Sequence, residues 1–266
     1  MTQDAAPSAV SDVASGATND TAFRDTIVRI GNLFFKIRNA LFPIVFIVIA
    51  LATRPLPFLG SEARDPWLDA FGIAIALSGQ ALRGLVIGLA YIGRGGKDKK
   101  VYAETLVQDG IFAHSRNPLY VGNILVFLGL FVVLNSTIGY LVGIPFFFFA
   151  YYAIVLAEED FLGRKFGGEY AAYRARVPRY LPTLDGLGET IHSMKFDWRR
   201  LIRKEYGSTF TWITTAFALL LWERFVWRGA AGAGPLVAPI AAAWVALIAG
   251  YATARFLKKT GRLQTT

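Results

Sequence analysis

Cysteine is absent from the 266 residues, and histidine occurs only as His114 and His192. The first absence excludes disulfides, thiolate metal sites and a cysteine nucleophile, and it leaves the redox compartment open. Acidic residues are scarce as well: 19 Asp and Glu stand against 28 Lys and Arg, for a net charge of +9. No basic face is interleaved with exposed aromatics on a soluble module, so nucleic acid is not an expected partner. No internal repeat is evident. The first 20 residues lack the basic-then-apolar order of a signal peptide. Rich in Ala, Ser, Thr and Asp, residues 1–21 read as a disordered tail.

What is abundant is apolar surface. Hydrophobic residues make up 54% of the chain, 21 of them Phe, and the mean hydropathy is positive at +0.42. That is too apolar for a soluble domain of this length and fits a polytopic membrane protein. Apolar stretches fall near 39–59, 67–92, 118–135, 138–157, 209–228 and 235–257, the last broken by prolines. Each approaches the roughly 20 residues that a helix needs to cross the hydrocarbon core. Strands are excluded there because an open sheet edge cannot sit in lipid. The expected fold is therefore all-α, a polytopic integral membrane protein with about six transmembrane helices. The third and fourth spans are joined closely, so a tight hairpin is expected through Asn135-Ser136-Thr137.

The excess of basic residues marks topology. Four precede the first span, five lie in 93–117, ten in 158–208 and four from Arg255 onward, while the intervening loops hold few. Six spans with both termini cytoplasmic satisfy the positive-inside rule at every loop. Residues 22–38 combine apolar and basic positions at helical spacing, which suits a helix lying in the headgroup region before the first span. Pro55 and Pro57 are expected to end that span. Arg83 sits deep in the second span, where an arginine either faces a protein interior or snorkels to the surface. The run Gly93-Arg94-Gly95-Gly96-Lys97 matches no dinucleotide or Walker spacing and reads as a flexible basic turn. A short helix is expected from Glu159 to Arg176, then a Pro-bounded segment 177–182, then an amphipathic interfacial stretch around 196–204. The resulting organisation is a core over 22–190, a linker over 191–208 and a two-helix extension over 209–266.

Two polar motifs flank one apolar hairpin. The first is Gly110, Phe112, Arg116, Asn117, Pro118, Tyr120 and Gly122, at the mouth of the third span. The second begins with Glu158-Glu159 and continues through Phe166-Gly167, Tyr170, Tyr173, Val177-Pro178-Arg179 and Pro182. Together they resemble the isoprenylcysteine carboxyl methyltransferases and the related membrane phospholipid methyltransferases, over about residues 80–185. The main departure is Asn117, where many members carry His; bacterial members often share the Asn. An amide donates and accepts hydrogen bonds but cannot shuttle a proton near neutral pH.

The resemblance implies S-adenosylmethionine as cofactor, bound on the cytoplasmic side, and a lipid or lipidated substrate reached from the membrane. It places Gly110, Arg116, Asn117, Pro118, Tyr120 and Glu159 at the cofactor. His114 joins them by position in the loop, with packing as the competing reading. Glu158, Glu159 and Arg179 are the catalytic candidates, and Arg83, Tyr170, Tyr173 and Arg179 the substrate-binding ones. No metal is expected, and a homo-oligomer is left open. An aromatic face such as Tyr120 favours a cationic sulfonium, and arginines suit carboxylates. Against these roles, the acidic cluster at 158–160 can be a solvated helix boundary, and Tyr170 and Tyr173 can be interfacial anchors. The acceptor stays open among a prenylated carboxylate, an aminophospholipid and a related lipid. Rival readings are a nicotinamide-dependent sterol or polyprenoid reductase and a six-span transporter. The bacterial members suggest a bacterial inner membrane.

Overall fold

A computed structural model describes residues 8–89, 94–97 and 100–264. Among the described residues the chain is a bundle of long helices with one small two-stranded hairpin. The helices are α1 (Ser8–Ala52), α2 (Asp65–Leu89), α3 (Pro118–Leu134), α4 (Ile144–Arg176), α5 (Leu187–Ser193) and α6 (Trp198–Lys259). Strands β1 (Arg94–Lys97) and β2 (Lys100–Ala103) pair antiparallel between α2 and α3. Thr21–Ala52, Asp65–Leu89, Gly139–Arg176 and Trp198–Lys259 are long and apolar enough to cross a membrane, and Pro118–Leu134 is a shorter apolar helix. The fold is the expected all-α membrane protein. Gly229, at φ 65° and ψ −157°, breaks α6 into two arms, so the fifth and sixth apolar stretches lie one on either side of it.

Local chemistry sets the helix ends. α1 stops at Ala52, ahead of Pro55 and Pro57. α2 opens with Asp65-Pro66 and α3 with Pro118, where proline's missing N–H costs nothing. α3 closes on Asn135 in the left-handed region, whose N–H returns to the Phe131 carbonyl. Ser136 Oγ then accepts from the Gly139 amide at 3.0 Å, which makes the short hairpin turn.

Two seams carry the packing. α2 and α3 approach through Gly72 and Gly79 on one side and Gly122 and Gly129 on the other. A Cβ at Gly79 would come within 2.5 Å of the Gly122 carbonyl oxygen, so only glycine allows this contact. α1 lies along α4, with Ile27 and Val28 buried against Ala153, Leu156 and Ala157. Between the seams is an aromatic core in which Phe127 stacks on Phe147 at 4.1 Å and Phe46 meets Phe131 at 5.0 Å.

Three expectations need correction. Residues 22–38 are not a separate surface helix; they continue into the first span as part of α1, held there because Gly31 admits the Ala153 carbonyl. The Gly93–Lys97 turn is strand β1 over Arg94–Lys97, with Gly93 outside the described residues. The helix expected from Glu159 is the C-terminal end of α4, kinked at Gly167 (φ 51°) rather than started anew. α1 itself begins at Ser8, inside the stretch assigned to a tail, whose residues 1–7 lie outside the described residues.

Candidate active site

The two motifs meet at the end of the α3–α4 hairpin, where their backbones zip together. The Arg116 amide donates to the Pro178 carbonyl at 3.0 Å, and the Thr183 amide to the His114 carbonyl at 3.0 Å. Asn117 Nδ2 donates to the Arg179 carbonyl at 3.1 Å, and Ser115 Oγ to the Tyr180 carbonyl at 2.8 Å. Tyr173, fully buried, donates to the Phe112 carbonyl at 2.8 Å. The prolines of 177–182 keep that segment extended, so its carbonyls face the first loop instead of closing a helix.

Glu158 and Glu159 serve different structures. Consecutive helical residues point about 100° apart. Glu159 turns inward to the loops: Oε1 accepts from Arg116 Nη1 at 2.8 Å and Arg179 Nε at 3.0 Å, and Oε2 from Arg179 Nη2 at 2.8 Å. Arg116 also donates to the Tyr170 hydroxyl at 3.3 Å. This clasp of two arginines on one buried carboxylate ties the first motif to the second. Burial opposes the Arg179 charge, but the Glu159 hydrogen bond overrides it and holds the guanidinium protonated. Burial also pushes the neighbouring Tyr180 phenol up to about 12.

Glu158 turns the other way, into a cavity of about 640 Å³. Its Oε1 accepts from the Tyr120 hydroxyl at 2.6 Å, and Arg38 Nη1 donates to the same hydroxyl at 3.3 Å. Asn117, Pro118 and Asn123 continue the polar wall, and Phe42, Phe46, Phe127 and Tyr151 form an apolar one. Ser208, Thr211, Trp212 and Thr215 of α6 close the remaining side. The space is thus polar at the motif end, aromatic along its length and of a size suited to a small organic molecule.

Arg83 reaches the same cavity from α2 and is fully engaged. Its Nε and Nη2 donate to Glu205 Oε2 and Oε1 at 2.9 and 2.6 Å, and its Nη1 to Asn123 Oδ1. Gln80 donates to Glu205 at 3.0 Å and accepts from the Trp212 indole at 3.0 Å. The arginine therefore faces the protein interior, and its partner comes from beyond the two motifs.

Of the residues expected from sequence, Asn117, Pro118, Tyr120, Glu158 and Arg83 line the cavity. Arg116, Glu159, Tyr170 and Arg179 form the clasp behind it, and Tyr173 braces the first loop. Gly110 takes a left-handed φ of 60° at the start of that loop. His114 spends both ring nitrogens on the Thr183 carbonyl (3.0 Å) and Thr190 Oγ1 (2.9 Å), a packing role. Arg38, Asn123, Glu205, Thr211 and Trp212 were not expected. Asn123 carried a signal, being a polar side chain inside an apolar span. Arg38 was hidden among basic residues that also satisfy topology.

Residues 70–169 match the family model described as phospholipid methyltransferase. That segment holds the first motif, the Glu158-Glu159 pair and the helices that position them. Over that segment the chain is similar to this family. Two curated relatives are similar over 124 residues: protein-S-isoprenylcysteine O-methyltransferase of Xenopus laevis at 29% identity and of Rattus norvegicus at 32%. Each alignment covers 46% of this chain and 43% of the relative, so the chain spans less than half the length of the curated proteins it matches. No solved structure matches. Arg38, Arg179 and Glu205 lie outside the family segment, yet all three are bonded to residues within it.

Proposed function

We propose that this protein is an S-adenosylmethionine-dependent membrane methyltransferase whose acceptor is a lipid-soluble molecule: a prenylated carboxylate, an aminophospholipid or a related lipid. The observation that carries this reading is the cavity that joins the Asn117–Tyr120–Glu158 wall to a phenylalanine-lined space between spans. The donor set fits the cofactor. Glu158 can accept from ribose hydroxyls or an ammonium, Asn117 can donate and accept, and Arg38 can pair with a carboxylate. Tyr120 presents an aromatic face beside Glu158, which favours a cation. The cofactor, when bound, supplies an electrophilic methyl group on a sulfonium.

The chain's own task is then alignment and exclusion of water. The clasp fixes the loop that carries Asn117, and the aromatic wall offers an apolar chain a path into the same cavity. A carboxylate acceptor is already deprotonated and needs no base. An amine acceptor must lose a proton, and Glu158 is the carboxylate placed to take it, since both oxygens of Glu159 are already held by arginines. The arginine-rich ends of the helices lie on the cytoplasmic side of a bacterial inner membrane in this reading, with both termini there.

Calorimetry of the detergent-purified protein with S-adenosylmethionine and S-adenosylhomocysteine tests the proposal. Micromolar binding, weakened in Asn117→Ala and Glu158→Gln, supports it. A folded wild-type protein that binds neither compound but binds NADPH overturns it in favour of a reductase.

A further inference from the structure

At the end of α2 opposite Arg83, three acidic side chains converge. Asp65 and Asp69, one turn apart on α2, meet Glu223 of α6, and a carboxylate oxygen from each lies within 4.8 Å of the others. The residues are 1%, 7% and 1% exposed, respectively. From Arg83 to Asp65 is 18 residues of helix, about 27 Å at 1.5 Å per residue, which is nearly the thickness of the hydrocarbon core. The cluster is therefore at the far membrane surface, away from the candidate active site.

With all three carboxyls ionised, as ligation of a cation requires, the charge at this place is not balanced by protein. Arg224 is the cation in contact, with Nη2 3.9 Å from Asp69 Oδ2. Asp65 Oδ1 accepts from the Phe58 amide at 3.0 Å. Asp65 Oδ2 and both oxygens of Glu223 are buried with no other hydrogen-bond donor among the described residues; Glu223 faces the Asp69 carboxyl, and the two can bond each other only by sharing a proton. Three carboxylates against one guanidinium leave two negative charges. Glu205, by contrast, is met by an arginine through both oxygens at the other end of the same helix pair. Leaving a carboxylate buried without a donor costs far more than any packing gain at that position.

We infer that Asp65, Asp69 and Glu223 bind a hard divalent cation, calcium or magnesium, at the extracytoplasmic surface, and that the ion fastens α6 to α2. All ligand atoms offered are carboxylate oxygens, the chemistry these ions take. A charge of +2 closes the balance, and oxygens 2.3–2.6 Å from a calcium ion stand at most about 5 Å apart, which the cluster satisfies. The site does not depend on the proposed methyl transfer.

Terbium(III) luminescence on the protein in detergent tests it, because Trp222 and Trp227 are one and four residues from Glu223 in the chain and can sensitise a bound lanthanide. Saturable emission, displaced by calcium and lost in Glu223→Gln, is the expected result. In parallel, calcium or magnesium should raise the thermal midpoint of the wild type above its value in EDTA by several degrees. Wild-type protein that shows neither sensitised emission nor any thermal response to either ion overturns the inference, and protons would then neutralise the cluster. Emission undiminished in both Glu223→Gln and Asp69→Asn overturns it as well. Should those variants fail to fold, the wild-type comparison between EDTA and added cation decides alone.

Discussion

Each of the two adjacent glutamates has a separate job, and substitutions should separate them. Glu158→Gln keeps the hydrogen bond from Tyr120 but removes the charge from the cavity. A charge-assisted hydrogen bond is worth about 1.5–3 kcal/mol, so cofactor affinity should fall roughly 10- to 100-fold with little change in thermal stability. The same variant reports on the acceptor. A fall of about 10²-fold or more in turnover at saturating cofactor marks an amine that needs a base. Near-normal turnover marks a carboxylate. Arg116→Ala should instead act on folding. It leaves Glu159, only 5% exposed, with Arg179 as its remaining guanidinium. Breaking one partner of a buried pair costs about 3–5 kcal/mol, and thermal unfolding should show most of that loss.

Among the elements, the α2–α3 seam is the least tolerant. Gly79→Ala would push a methyl group against the Gly122 carbonyl and the Leu125 side chain, with backbone on the crowded side. Overpacking of that kind costs about 1–3 kcal/mol, and it would also shift Asn123 and Arg83, which face each other one turn along the seam. Gly84→Ala is the control. Its nearest neighbour would be the flexible end of Leu201 at 3.4 Å, so stability should change by less than about 0.5 kcal/mol. Comparing the two melting curves checks whether the seam, and not glycine content, holds the helices together.

For the whole molecule, α6 is part of the site and not an appendage. It supplies one wall of the cavity and the partner of Arg83. A chain cut after residue 190 would leave Arg83 at the cavity without the carboxylate of Glu205, and it should fail to accumulate in membranes. Arg83→Leu and Glu205→Leu should each be strongly destabilising, whereas the double substitution should recover much of the loss, because neither charge is then stranded. A double-mutant cycle on thermal midpoints measures that coupling. Equal and additive losses would instead show that the two side chains act independently.

Composition alone determined the solvent of this protein: over half its residues are apolar, and the grouping of Lys and Arg orders the spans. Proline and asparagine placement set most helix ends, because those residues act through their own backbone. Both motifs were legible too, since their spacing is local. Sequence could not say which glutamate faces the cavity, since at about 100° per residue that depends on what α4 packs against. Nor could it pair Arg83 with Glu205 across 122 positions, or seat Ser208, Thr211 and Trp212 beside the third span. Amphipathic spacing at 22–38 suited a surface helix equally well, and only the close approach at Gly31 placed it against α4. Local chemistry is written residue by residue, whereas contacts between distant segments exist only once the helices have chosen their neighbours.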